Sequence, residues 1–278
     1  MRARVRIRPV ERRDVAACGV VEWAAFGGAF SPAAARGFVE RLIGHPSMYG
    51  LVAEEDDAIV GHCFLWEHDP IRAVGPLAVA PAAQGRGIGR RLMEATLERA
   101  DGAVGARLTT GNPVALALYA SLGFEVKEPL AILSGRFRSS PPAGTSTRPM
   151  REEDLAAAAA LCERVHGVAR VGDLREALRA KAEPTVLERD GGIVAYASHR
   201  RVCDLAHGVA EDEADLRALL LGLAPPRGAK VEIFLPTRQA SLLRWCLEEG
   251  LRIEMGLSLV VKGEYREPTG AWFPSSWY

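Results

Sequence analysis

Net charge is the first thing this sequence lacks. Its 278 residues carry 35 basic and 35 acidic side chains, a balance that does not suit a protein coating nucleic acid or lying on an anionic membrane. Neither half hides an imbalance. Residues 1–138 hold 17 basic against 15 acidic side chains, and the remainder 18 against 20. A long apolar run is missing as well. The longest uncharged stretch, Leu108–Phe124, is broken by Gly111, Asn112, Pro113 and Gly123, and cannot supply the roughly 20 continuous apolar residues of a membrane span. Met1–Ile7 alternates charged and apolar residues, so no signal peptide is expected. Cysteine is sparse: the five, at 18, 63, 162, 203 and 246, lie 41 to 99 residues apart with no CxxC pair. That spacing fits buried thiols in a reducing cytoplasm. The six histidines do not fall at ligand spacing with them, so no metal is expected. With 48% apolar residues, disorder is excluded. What remains is a cytoplasmic, metal-free globular chain, long enough for two domains at roughly 100–200 residues each.

An internal repeat supports that division. Arg8-Pro9, Asp14 and Ala16-Ala17 recur as Arg148-Pro149, Asp154 and Ala156-Ala157, an offset of 140. Glu54, Asp56 and Ile59-Val60 recur as Glu188, Asp190 and Ile193-Val194, an offset of 134. The same order at nearly the same offset indicates a duplicated domain. Residues 139–147, Ser-Ser-Pro-Pro-Ala-Gly-Thr-Ser-Thr, have linker composition. The expected domains are therefore 1–138 and 148–278.

In the first half, Arg4–Val10 alternates as a strand. Asp14 caps a helix to about Ala25, and Ser31-Pro32 opens a second. Met48–Glu55 and Ala58–Glu67 read as strands joined at Asp56-Asp57. Arg72–Ala80, uncharged after its first residue, reads as a central strand. Ile88, Leu92, Met93, Leu97 and Ala100 form one apolar stripe, so Ile88–Ala100 is a helix. After a strand over Val104–Thr110, Asn112 caps a short helix with Pro113 in its first turn and Gly123 past its end. A strand from Phe124 to Ile132 closes the order.

The most informative segment is Gln84-Gly85-Arg86-Gly87-Ile88-Gly89, between a strand and a helix. Glycines let backbone N–H groups turn inward, and a helix N-terminus adds partial positive charge. Arg86, Arg90 and Arg91 stand nearby. The dinucleotide pattern GxGxxG fails because its third glycine position is Arg90. A P-loop fails because no lysine follows. On the loop alone, an ordinary glycine-rich turn is the other reading.

The pattern that fits is QxxGxG, which resembles the coenzyme A loop of the GNAT superfamily of N-acetyltransferases. Asn112-Pro113 with Tyr119-Ala-Ser-Leu-Gly-Phe124 resembles the second signature of that superfamily. The likeness covers about residues 4–133. Gly75-Pro-Leu-Ala-Val and the ending Gly263–Pro268 resemble its two-domain members. The resemblance implies an α+β (α/β) fold of two tandem GNAT domains, each a mixed, mostly antiparallel twisted sheet flanked by helices. It also implies acetyl-CoA as co-substrate and a primary amine as acceptor, attacking directly in a ternary complex.

By that resemblance, Leu77, Ala78 and Val79 pair with the pantetheine arm. Gln84, Gly85, Arg86, Gly87, Ile88, Gly89 and Arg90 hold the pyrophosphate, and Asn112 contacts the arm. Tyr119, a phenol of ordinary pKa near ~10, protonates the leaving sulfur. The general base is harder to place, because Arg72–Ala80 holds no carboxylate. Glu67, His68 and Asp69 are the nearest candidates, and Glu67 is the choice. Trp23, Phe26 and Phe30 fall where the superfamily builds its acceptor pocket. A non-catalytic acyl-CoA sensor or interaction module is the alternative function.

The second half has lost the loop. Gly208 is the one glycine in Ala206–Arg217, and Glu211, Asp212, Glu213 and Asp215 crowd the helix start, where carboxylates repel a phosphate. Cys246 stands where Tyr119 would, and reads as a buried thiol. The aromatic ending, 263–278, is expected to pack across a domain groove and to line the acceptor cleft. Arginine outnumbers lysine 31 to 4, which points to a GC-rich bacterial source. No nucleic-acid or membrane partner is expected, and a monomer and a homodimer stay open.

Overall fold

The computed structural model of the chain describes residues 5–28, 31–67, 69–202, 205–223 and 230–276. They form two compact units, 1–106 and 107–278. Both contain mixed, mostly antiparallel sheets flanked by helices, the fold class expected from the sequence.

The first unit runs β1 (Arg6–Pro9), α1 (Val15–Ala25), α2 (Pro32–Gly44), β2 (Met48–Glu55), β3 (Ala58–Trp66), β4 (Ile71–Val79) and α3 (Ile88–Arg99), with β5 (Gly105–Thr110) at its end. β1 to β4 pair antiparallel in sequence order. Asp56 and Asp57 close the β2–β3 hairpin with φ of 48° and 62°, the left-handed pair that a tight primed turn requires. Ser31 caps α2 through Ala34 N–H, with Pro32 in the first turn. Gly19 lets the two helices cross closely, since a Cβ there would stand 2.8 Å from Arg36 Cα.

The second unit contains α4 (Pro113–Ser121), β6 (Glu125–Gly135), β7 (Ser146–Pro149), α5 (Leu155–His166), α6 (Val171–Arg179), β8 (Thr185–Arg189), β9 (Gly192–Ala197), β10 (Gly208–Ala210), α7 (Glu213–Leu223), β11 (Val231–Pro236), α8 (Ala240–Glu248), β12 (Arg252–Gly263) and β13 (Ala271–Phe273). One sheet has the order β13-β10-β9-β8-β7, while β5, β12, β6 and β11 lie side by side in another. β6 comes from the first repeat, yet it pairs antiparallel with β11 and β12 of the second. β12 in turn lies between β5 and β6 of the first. The repeats thus exchange strands within one chain. Leu133 of β6 accordingly joins a core with Leu219 of α7, Leu235 of β11, Leu242 of α8 and Phe273 of β13.

The repeat has a physical core that the sequence displays. Arg8 bonds Asp14 at 2.7 Å and Glu54 at 2.8 Å; Arg148 bonds Asp154 at 2.6 Å and Glu188 at 2.7 Å. Each aspartate also accepts a backbone N–H three residues earlier, from Glu11 and Arg151. The arginine hydrogen bond holds each Asp carboxyl below its ordinary pKa. A lowered folded pKa gives stability that is present above the unfolded pKa and lost as pH falls through the folded one. Asp14→Asn and Asp154→Asn should each cost about 1–3 kcal/mol at pH 7, because the guanidinium loses one of its two carboxylate partners and keeps only the glutamate. Thermal melts should show the gap closing as pH falls through the lowered folded pKa of each wild-type carboxyl, where it is protonated too.

Candidate active site

The site begins on β4. His62 of β3 stands opposite Ala78, with Gly61 opposite Val79 and Cys63 opposite Leu77. Ala80 N–H donates to Val60 C=O at 2.9 Å. Antiparallel pairing alternates, so residues 78 and 80 turn their polar groups toward β3, and 77 and 79 turn theirs away. Val79 C=O accepts from the Gln84 side chain at 3.0 Å, which ties the loop to the strand it leaves.

A short 3-10 turn, Pro81–Ala83, leads into that loop. Gly85 and Gly87 have φ of +73° and +80°, and a Cβ at either would meet no atom within 4 Å. Conformation, not crowding, calls for glycine here, and a ligand can approach the backbone closely. α3 starts at Ile88, with no side-chain cap and no carboxylate in its first turn. Its first N–H groups are therefore left to solvent or to an anion.

The loop arginines are engaged elsewhere. Arg86 pairs with Glu55 in two contacts, one of 2.9 Å, and Arg91 donates to Val5 C=O at 2.9 Å. Arg90 lies 3.7 Å from Glu94. The arginine side chains thus bond to protein partners, while the start of α3 carries no side-chain cap.

In the second unit, Asn112 Oδ1 accepts from Val114 N–H at 2.8 Å and Ala115 N–H at 3.1 Å. Its oxygen thus caps α4, and only its amide nitrogen remains for a ligand. Tyr119, on the inner side of α4, is 7% exposed with its ring centroid 6.0 Å from that of Phe124.

The second copy shows what the first has kept. Tyr196 opposite Val209 repeats the register of His62 opposite Ala78, so β10 is the counterpart of 77–79. Its outer edge is occupied. β13 pairs along it, with Phe273 opposite Gly208 and Trp272 opposite Val209. A Cβ at Gly208 would lie 2.2 Å from the Phe273 ring, and Gln239 clamps Trp272 by both backbone groups, at 2.7 and 3.1 Å. At the start of α7, Asp212 Oδ1 accepts from Asp215 N–H at 2.8 Å, with Glu213 and Asp215 in the first turn. Ala271–Phe273 of the aromatic ending therefore form an edge strand of the second sheet. Trp272→Ala should cost about 3–5 kcal/mol in a urea titration, since a 1% exposed indole leaves a cavity.

Other candidates fall differently. The Glu67 carboxylate pairs with Arg99 at 3.1 Å, at the end of α3 remote from the loop. That bond commits it to an ion pair instead of leaving it open to an amine. Trp23 and Phe26 are 40% and 45% exposed, while Phe30 and His68 lie outside the described residues. Cys246 is buried, which pushes its thiol up to about 12. Among the described residues, four cysteines are buried and form no disulfide, no cluster of three potential metal ligands occurs, and no helix is long and apolar enough to cross a membrane.

One pair escaped sequence reasoning. Glu22 of α1 and His62 of β3 are 2% and 0% exposed, with Oε2 2.9 Å from Nε2. Burial pushes the Glu22 carboxyl up to about 8 and the His62 imidazole down to about 4. Forty residues separate them, and neither belongs to a motif. The one available signal was a glutamate on the sheet-facing side of an otherwise apolar helix.

Comparison with known proteins gives the family. The family described as "Acetyltransferase (GNAT) domain" matches residues 46–126. The N-alpha-acetyltransferase RimI of Mycobacterium tuberculosis is 35% identical over 128 residues, covering 44% of this chain and 78% of RimI. An uncharacterised protein of Mycobacterium leprae is 37% identical over 117 residues, 40% of this chain. The chain spans 32% of that relative's length. A tandem GNAT protein from the clavulanic acid biosynthesis pathway has a similar fold, with a TM-score of 0.61 at 15% identity. That match covers 93% of this chain and 98% of the other.

Proposed function

Because the chain belongs to the GNAT acetyltransferases, we propose that its first repeat transfers the acetyl group of acetyl-CoA to a primary amine, with one acetyl-CoA site per chain. A single contrast carries this reading. β4 is followed by a left-handed glycine loop and an uncapped helix start, whereas the second copy has β13 on the strand edge and carboxylates at the helix. The domains proposed are 1–138 as the catalytic repeat and 148–278 as a repeat without its own site.

The chemistry follows from the backbone first. The Leu77 peptide groups and the Val79 N–H, turned away from β3, suit an extended pantetheine arm, and a strand N–H there can stabilise charge growing on the thioester oxygen. The pyrophosphate lies on the bare N–H groups of α3. The amine must lose a proton before it attacks the carbonyl carbon, since a free alkyl ammonium has a pKa near ~10.4. The C–S bond then breaks, and Tyr119 O–H serves the departing sulfur.

β4 carries no carboxylate, and that favours the second reading, an acyl-CoA sensor without turnover. The two separate in one assay. Purified chain is incubated with acetyl-CoA and, in turn, an alanine-initiated peptide, spermidine or glucosamine, while free thiol and the acetylated product are measured. Thiol release that depends on one amine supports the enzyme. Tight binding without release under every amine supports the sensor.

A further inference from the structure

The buried Glu22–His62 pair has no structural need that its own duplicate shares. By the repeat offsets, Glu22 corresponds to Cys162 of α5 and His62 to Tyr196 of β9. The register agrees, with Val52 opposite His62 and Val186 opposite Tyr196. Cys162 and Tyr196 are both fully buried. The same helix therefore closes on the same strand without a carboxyl or an imidazole. Burying two ionisable groups is expensive, and well-packed replacements of similar size are often neutral or stabilising. The first repeat retains this pair where the second does not, and the first repeat alone has the open loop.

Its position is equally specific. His62 forms the ladder pair with Ala78, in the middle of the 77–79 segment, and backbones of such a pair lie about 5.5 Å apart. A Cβ at the preceding Gly61 would touch Leu92 of α3. His62 therefore projects to the opposite face, toward α1. Its Nε2 is taken by Glu22, but Nδ1 is buried with no hydrogen-bond partner. A buried ring nitrogen without a partner requires a cause.

We propose that Glu22 and His62 form the proton acceptor of the acyl transfer, with His62 Nδ1 taking the ammonium proton of the acceptor through water. This rests on the acetyltransferase reading above. The balance is complete. Of the three ammonium protons, one passes to the Glu22–His62 pair and on to solvent, and one ends on the coenzyme A sulfur. The third stays on the amide nitrogen. The C–N bond forms as the C–S bond breaks, and no other reactant is needed. Glu22 holds His62 by Nε2 and leaves Nδ1 as the exchanging atom.

Few charges compete with the pair. α1 adds Cys18, whose thiol burial pushes up to about 12, and Asp14, bound by Arg8. β2 and β4 contribute Val52 and Ala78, and β3 adds the Phe64 ring at 5.3 Å. α2 turns Arg36, Glu40 and Arg41 to solvent. The proton-free form of the pair should therefore appear as pH rises through about 8, the value at which burial holds the Glu22 carboxyl.

The test compares wild type with Glu22→Gln and with the double variant Glu22→Cys/His62→Tyr, which copies the filling of the second repeat and protects folding. Acetyl-CoA and the amine found active in the panel serve as probes. Circular dichroism and acetyl-CoA titration establish folding and binding first. Expected is a fall in kcat of about 10²–10⁴-fold, the range of general base catalysis, with the acetyl-CoA KM within 3-fold. The wild-type rise in kcat near pH 8 should give way to a rate that climbs steadily with hydroxide. A folded double variant that binds acetyl-CoA and keeps kcat within 3-fold, with the same pH profile, overturns the proposal. Such a result leaves the acetyltransferase reading intact, because wild type still turns over. If wild type itself fails with every amine, the acetyltransferase reading fails first. The proposal then falls with it, because a proton acceptor for acyl transfer has no role without that transfer; the two failures stay distinct, since only an unchanged double variant leaves wild type active.

Discussion

Gly87→Asp should weaken acetyl-CoA binding at least 100-fold and barely move the melting temperature. The substitution copies into the first repeat the feature that marks the second, a carboxylate at the helix start. Position 87 has φ of +80°, a region that aspartate visits at a cost of roughly 1–2 kcal/mol. A carboxylate at the N-terminus of α3 offsets part of that by favouring the helix. Nothing lies within 4 Å of a Cβ there, so the new side chain enters the space assigned to the pyrophosphate. Two like charges about 4 Å apart near a surface repel by about 4 kcal/mol, and a 100-fold loss needs about 2.7. Gly87→Ala adds strain without charge and should lose far less. Calorimetry on the three proteins is the check. Affinity retained within 3-fold by Gly87→Asp would mean that the phosphate does not sit at α3.

Tyr119→Phe should lower kcat about 10²–10³-fold and leave the acetyl-CoA KM within 3-fold. The ring is nearly buried and packs by Phe124, so removing only the oxygen leaves packing unchanged. A loss confined to kcat identifies an interaction made as the C–S bond breaks. Stopped-flow thiol release, in a chain whose melt matches wild type, measures it. An equal rise in KM would instead make the phenol a binding group.

What could be read from the residues followed the reach of each interaction. Local signals transferred cleanly. Asn112 with Pro113, Ser31 with Pro32, and Asp56-Asp57 do their work within four residues, and each stands where its chemistry placed it. The repeat was legible because Arg8, Asp14 and Glu54 form one ion cluster that both halves preserve. The strand exchange was not. β6 fits either repeat's sheet by its apolar pattern, and pairing partners 100 residues away leave no local trace. Among candidate site residues, the loop was visible because glycine declares its own backbone, while Glu67 was chosen for proximity in sequence alone. Its partner, Arg99, is 32 residues on. Glu22 and His62 form a pair only when α1 lies down on β3. The role of the aromatic ending was equally non-local, since β13 acquires meaning from the edge of β10 that it covers.

The central claim is that one repeat binds acetyl-CoA and the other has closed its site with the chain's own strand. Calorimetric titration of the purified full chain with acetyl-CoA tests it most directly. The account gives a stoichiometry of one per chain, abolished by Gly87→Asp at the same protein concentration. Two sites per chain, or one site that persists in Gly87→Asp, would contradict it.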